Sequence, residues 1–239
     1  MKIIIETQDL DQFCEGRIRS GYYEYTDEEL LAAEWMEMFC LNENYSPLPN
    51  DMPKFLSYMY DFEINCEVCR MRVKKQKNSF KFKKSFPFKK YHATRTQGSY
   101  EIFIDKIFKS LLEKSNLCGY EFIPVYDSSG KMIFDDVFQL KVSNHLSFEM
   151  CLNDQYKKIQ CQSCGKSYIN RPPINTPCRF TYKQNDFSGN IPDIVLTKEL
   201  IGATSIGADY SLIISNRMYR FLKENNLERD FNFNVIKLI

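Results

Sequence analysis

Two pairs of cysteines, Cys66/Cys69 and Cys161/Cys164, constrain this chain more than any other feature. Each has the spacing Cys-x-x-Cys. Two thiolates so spaced can grip one ion from a tight turn, and two such turns supply the four sulfurs of a closed, tetrahedral zinc site. The pairs are far apart in sequence, so that site requires the fold to bring residue 69 back to residue 161. Gly165 follows the second pair, and glycine lets the backbone turn closely around an ion. Two other readings use the same residues. Cys151, Cys161, Cys164 and Cys178 are close enough in sequence for a local site, or all of these are ordinary thiols without metal. A thioredoxin-like redox role is disfavoured, because neither pair follows a clear strand and opens a helix. Cys14, Cys40 and Cys118 read as small buried apolar residues. Nine cysteines, an odd number, suit a reducing compartment better than a disulfide framework.

An internal repeat sets the expected fold. IFIDKIFKSLLEKSNLCGYEF (102–122) matches LIISNRMYRFLKENNLERDFNF (212–233) at a shift of 110 positions. Ile104 then meets Ile214, Leu112 meets Leu222, Asn116 meets Asn226 and Leu117 meets Leu227. One inserted residue brings Phe122 onto Phe233. Both copies read as an apolar strand, an N-cap (Asp105 or Ser215), a helix and a second strand. Ile104, Ile107, Phe108, Leu111 and Leu112 share one face, as do Met218, Phe221 and Leu222. Asn116 and Asn226 fall where a left-handed helix stop is expected. The expected class is α+β, with two strand–helix–strand units on mixed or antiparallel sheet. Expected boundaries are 1–98 for a region with a helix, the first Cys pair and a basic segment, 99–160 for the first unit, and 161–239 for the second.

Elsewhere the pattern is local. Met1–Ile5 reads as a short buried strand. Residues 26–40 read as a helix, with Thr26 as N-cap and Glu29 at the capping-box spacing. Residues 42–53, polar and holding three prolines, read as a loop. Lys54–Phe62 is apolar with no clear class. Phe80-Lys81-Phe82-Lys83 alternates as a strand with one wet face, its lysines discouraging edge pairing. Ser128-Ser129-Gly130 marks a turn, and residues 170–178 a proline-rich loop. Gly202 to Gly207 has phosphate-loop glycine spacing but lacks the Lys-Ser/Thr that must follow, so it reads as a turn. The histidines, His92 and His145, offer catalysis little. A His145–Cys151 nucleophilic pair has nothing nearby to orient it, so no enzyme is expected.

Charge is uneven. The chain carries 32 Lys+Arg against 31 Asp+Glu, yet residues 70–95 hold eleven Lys/Arg and no acid. The rest is therefore acidic. The basic, phenylalanine-bearing segment has the ingredients of a single-stranded nucleic-acid surface. The same spacing also places Phe80/Phe82 and Phe86/Phe88 on one face each, as core residues lie. No apolar run reaches the ~18 residues of a membrane helix, and Glu6 interrupts the first apolar run too early for a signal peptide. A cytoplasmic protein is expected.

The order of a CxxC, a strand–helix–strand unit, a CxxCG and then DIVLTKELIGATSIGADYSLIISNRMYRFLKENNLERDFNFNVI resembles a known family. It is similar to the double-CXXCG-motif immunity proteins of bacterial polymorphic toxin systems, the Myxococcus type, over roughly residues 60–239. The likeness is strongest at 161–165 and 193–235, the second Cys motif and the family's apolar closing module. The first motif departs from the pattern, with Arg70 in place of glycine. The resemblance implies an immunity protein that binds and neutralises a partner toxin, without catalysis. An acidic body would steer in and cover a basic nuclease toxin. A zinc protein binding nucleic acid through 70–95 is the alternative.

Overall fold

The computed structural model describes residues 17–19, 22–45, 47–69, 71–85, 88, 90–96, 101–153, 156–171, 179–203 and 207–239. The strand expected at Met1–Ile5, and Cys14, Arg70, Phe86 and Cys178, lie outside them. The chain is α+β, mostly strand, with four α-helices among the described residues. Its first part runs β1 (Arg17–Arg19), β2 (Tyr22–Glu24), α1 (Asp27–Ala32), β3 (Trp35–Cys40), β4 (Glu43–Tyr45), α2 (Met52–Met59), β5 (Tyr60–Asn65), β6 (Arg72–Gln76), β7 (Lys81–Phe82) and β8 (Ala93–Thr96). Next come β9 (Ile102–Asp105), α3 (Lys106–Lys114), β10 (Glu121–Asp127) and β11 (Ile133–Lys141). The last part holds β12 (Lys157–Gln160), β13 (Ser167–Asn170), β14 (Thr181–Tyr182), β15 (Ile194–Ala203), β16 (Gly207–Ser215), α4 (Asn216–Glu224), β17 (Phe231–Val235) and β18 (Lys237–Leu238).

Two six-stranded sheets carry the structure. The first has the order β4-β8-β9-β11-β10-β7, the second β12-β13-β15-β16-β3-β17. Inner neighbours are antiparallel, while β4, β7 and β13 run parallel to β8, β10 and β15. The first 98 residues feed both sheets. β3 lies inside the second, and after Leu41 and Asn42 the chain enters the first as β4.

The helix expected over 26–40 is half helix and half strand. Its start is as read: Thr26 accepts from the Glu29 amide at 3.2 Å, and the Glu29 carboxylate accepts from the Thr26 amide at 2.6 Å. α1 stops at Ala32, however, and Trp35–Cys40 forms β3. In WMEMFC, Met36, Met38 and Cys40 alternate and are all buried, so the period of two wins once β16 and β17 flank the segment. A short apolar run fits either period, and tertiary pairing decides between them. Lys54–Phe62 likewise divides. Asp51 caps α2 by accepting from the Lys54 amide at 2.9 Å, and the chain turns to strand at Tyr60. The expected loop at 42–53 therefore loses its ends to β4 and α2.

Both strand–helix–strand stretches have the expected order. Asp105 caps α3 by accepting from the Phe108 amide at 2.8 Å, and Ser215 caps α4 by accepting from the Met218 amide at 3.2 Å. Ile104, Phe108, Leu112, Ile214, Met218 and Leu222 all belong to one buried cluster spanning the two sheets. Two details differ from the sequence reading. Ile107 is half exposed and Ile104 lies on β9, so the core stripe of α3 is Phe108, Leu111 and Leu112. Only Asn226 takes the left-handed stop, at φ 56°, with the Leu227 amide reaching back to the Leu222 carbonyl at 2.8 Å. α3 instead ends at Ser115, whose hydroxyl donates to the Leu112 carbonyl at 2.7 Å.

The sheets are also tied by Asp230, which is fully buried. One of its oxygens accepts from the amides of His92 at 2.6 Å and Ala93 at 2.9 Å, just before and within β8. Burial raises this carboxyl's pKa, and the two amides oppose the rise. Gly202 faces Ala208 and Gly207 faces Ala203 at one end of the long β15–β16 pairing, and residues 204–206 lie outside the described ones.

Leu112 and Leu222 are buried at 0% and 1% exposure in the same cluster. Leu112→Ala and Leu222→Ala should each cost about 2–5 kcal/mol. Denaturant unfolding should return losses of similar size for the two variants.

Candidate metal centre

The β5–β6 and β12–β13 hairpins each carry one Cys pair in their turn. In each, the amide of the first cysteine donates to a carbonyl five residues on: Cys66 to Met71 at 3.1 Å, and Cys161 to Lys166 at 2.9 Å. Gly165 has φ 70°, a left-handed value that glycine adopts without strain. Here the positive φ, rather than crowding, explains the residue, since open space surrounds the position a Cβ would take.

The fold brings the two turns together. The sulfurs of Cys66 and Cys161 are 3.8 Å apart and those of Cys69 and Cys164 are 3.7 Å apart. All four lie within 4.8 Å of one another. Sulfurs bound at ~2.3 Å around a tetrahedral ion would be about 3.8 Å apart, so the spacing fits. Three of the cysteines are buried and Cys164 is half-buried. The expected local alternative is not what assembles: among the described residues Cys151 is not part of the cluster, and its amide pairs with the Thr181 carbonyl at 2.8 Å.

Backbone amides aim at the sulfurs in the same pattern in both turns. Cys66 accepts from the amides of Cys69 and Val68, which lower its pKa to about 6. Cys161 accepts from those of Cys164 and Ser163 and is lowered too. Burial pushes Cys69 up to about 12 against a hydrogen bond from the Met71 amide. At Cys164 the Lys166 amide lowers the pKa, but burial and the neighbouring thiols raise it overall. Four such groups without an ion crowd potential negative charge in an apolar setting. A divalent cation would hold all four as thiolates and remove that conflict. Ile64, Met71, Val73, Ile159, Tyr168, Leu200 and Tyr210 enclose the cluster, leaving it the closed character of a structural site.

The first hairpin reaches both sheets. Gln76 on β6 exchanges amide hydrogen bonds with Gln139 on β11, at 2.9 and 2.8 Å, and the Tyr60 hydroxyl donates to Glu101 at 3.1 Å. On its other side Lys74 pairs with Asp209 of β16 at 3.1 Å. An ion at the four sulfurs would clasp this hairpin to the second sheet.

The remaining candidates are placed separately. His92 pairs with Asp105 at 2.8 Å. His145 bonds the Thr197 carbonyl at 2.9 Å, and its ring lies 4.4 Å from that of Tyr210. Cys40 is buried as expected, and burial pushes its thiol up to about 12. Cys118 is exposed, a correction to its reading as a buried residue, because α3 has already ended and the chain there runs over the surface. Sequence reasoning missed Tyr168 and Lys74. Tyr168 is a buried tyrosine beside the thiols, and Lys74 pairs with a residue far away in the chain.

No protein-family model matches this chain, and no curated protein matches it significantly.

Protein purified without added metal should contain about one ion per chain. Cys161→Ser should lower both metal content, read by elemental analysis, and the melting temperature. Stoichiometric protein with four free thiols and no metal would rule out the centre.

Proposed function

We propose that this chain is a cytoplasmic, non-enzymatic immunity protein that binds and neutralises a bacterial toxin, with structural zinc at Cys66, Cys69, Cys161 and Cys164. The observation that carries the reading is the convergence of two distant Cys pairs into one closed, largely buried set. That arrangement suits a structural ion better than a catalytic one, because no ligand position is left for substrate. Zinc is the ion that four thiolates in a tetrahedron favour in a reducing compartment, and it brings no redox chemistry. The partner assignment rests on the resemblance of the two motifs and the closing module to double-CXXCG immunity proteins. The two strand–helix–strand stretches are read as copies of one unit.

The geometry disfavours nucleic-acid binding through residues 70–95. Phe80 and Phe82 are 0% and 2% exposed and stack on each other in the core, so neither offers a face to a base. Several of the cations already have acidic partners: Lys74 with Asp209 at 3.1 Å, Lys77 with Asp61 at 3.0 Å and Arg95 with Glu43 at 2.6 Å. Lys83 and Lys84 are exposed.

The acidic residues open to a partner are fewer than the sequence offers. Asp193 is buried and accepts from the Ser215 hydroxyl at 2.7 Å, and Asp209 holds Lys74. Asp136 accepts from the Ser85 hydroxyl at 2.6 Å, and Glu29 is engaged in the capping box. Glu28 and Asp135 are exposed.

Association with the partner toxin, followed by stopped flow, should slow as ionic strength rises, because screening removes steering. Glu28→Lys with Asp135→Lys should lower the on-rate and leave metal content intact. Lys83→Glu with Lys84→Glu should leave it unchanged or raise it. Partner binding lost only with the lysine pair would make the basic segment the working surface.

A further inference from the structure

We propose that the chain is two copies of one larger module, each comprising a Cys-x-x-Cys hairpin and a strand–helix–strand unit, and that the second copy is completed by β3, a strand from upstream of both. This rests on reading the two strand–helix–strand stretches as copies, and extends it to the metal-bearing hairpins.

The hairpins match at a fixed offset. Cys66 lies 95 positions before Cys161, and Cys69 lies 95 before Cys164. At that offset the strand register is the same: Ile64 faces Val73 and Asn65 faces Arg72, as Ile159 faces Tyr168 and Gln160 faces Ser167. The ion would therefore take equivalent sulfurs from each copy.

The sheets match independently. β8-β9-β11-β10 and β15-β16-β3-β17 have the same order, each strand antiparallel to the next. On β9, Phe103 faces Gln139 of β11; on β16, Ile213 faces Glu37 of β3. Across the middle strand Phe122 faces Leu140, as Phe233 faces Met38. Thus β3 takes in the second sheet the place of β11 in the first. The chain reaches that place differently: β11 follows β10 directly, whereas β3 precedes the whole first copy. The outermost position also differs, with β4 beside β8 but β13, the second strand of its hairpin, beside β15.

One tertiary contact joins the two alignments. The hairpin offset carries Gln76 onto Arg171, and the sheet register carries Gln139 onto Glu37. In the first copy Gln76 and Gln139 exchange two amide hydrogen bonds, at 2.9 and 2.8 Å. In the second copy Arg171 donates to Glu37, which is 3% exposed. Two offsets taken from different elements thus predict the same pair of positions in contact. The copies have diverged at that contact from an amide pair to an ion pair.

The test installs the first copy's contact in the second, within the full chain. Glu37→Gln with Arg171→Gln should recreate the reciprocal amide pair. It should melt about 3 °C or more above Glu37→Gln with Arg171→Asn, whose shorter amide cannot reach. The side-chain amide protons introduced at position 37, like those of Gln139, should be protected from exchange by NMR. A glutamine pair that does not fold, or is no more stable than the asparagine variant and leaves the new amide at position 37 unprotected, would overturn the proposal. If Leu112→Ala and Leu222→Ala still lose stability equally in that event, the strand–helix–strand repeat survives and only the hairpins leave the module.

Discussion

Four sulfurs meeting from two distant turns are the constraint on which the rest of the arrangement depends. The β5–β6 hairpin belongs to neither large sheet, and the Gln76–Gln139 amides and the Tyr60–Glu101 bond hold one side of it. Its other side is held by the Lys74–Asp209 pair and the cysteine cluster. A partly exposed ion pair contributes little by itself. A metal–thiolate centre contributes far more, since binding requires the folded arrangement and so stabilises it. The shared apolar cluster beneath α3 and α4 contains none of the four cysteines. Removal of an ion held there should therefore loosen the hairpin before the core.

The charge distribution is reorganised by folding. A segment that reads as a basic strip pairs several of its cations with acids from other parts of the chain and buries Phe80 and Phe82. The acidic excess is trimmed in the same way, with Asp193 and Asp230 serving as internal acceptors for amides and a hydroxyl.

Much of this was legible in the sequence where local physics decides. The Thr26 capping box, the Asp105 and Ser215 caps and the β10–β11 turn at Gly130 are all set within a few residues. The Cys pairs were legible because metal chemistry fixes their spacing. Trp35–Cys40 was misread as helix, because its strand character comes from β16 and β17, at the far end of the chain. The Asn116 stop failed because Ser115 closes α3 with its own hydroxyl before a left-handed residue is needed. The Glu37–Arg171 pair and the Asp230 clamp carry no local signal, since each joins elements brought together only by the finished sheets.

X-ray absorption at the zinc edge on untagged, full-length protein tests the central claim most directly. The account predicts a single shell of four sulfurs at ~2.3 Å. A shell containing nitrogen or oxygen ligands, or fewer than four sulfurs, would contradict it.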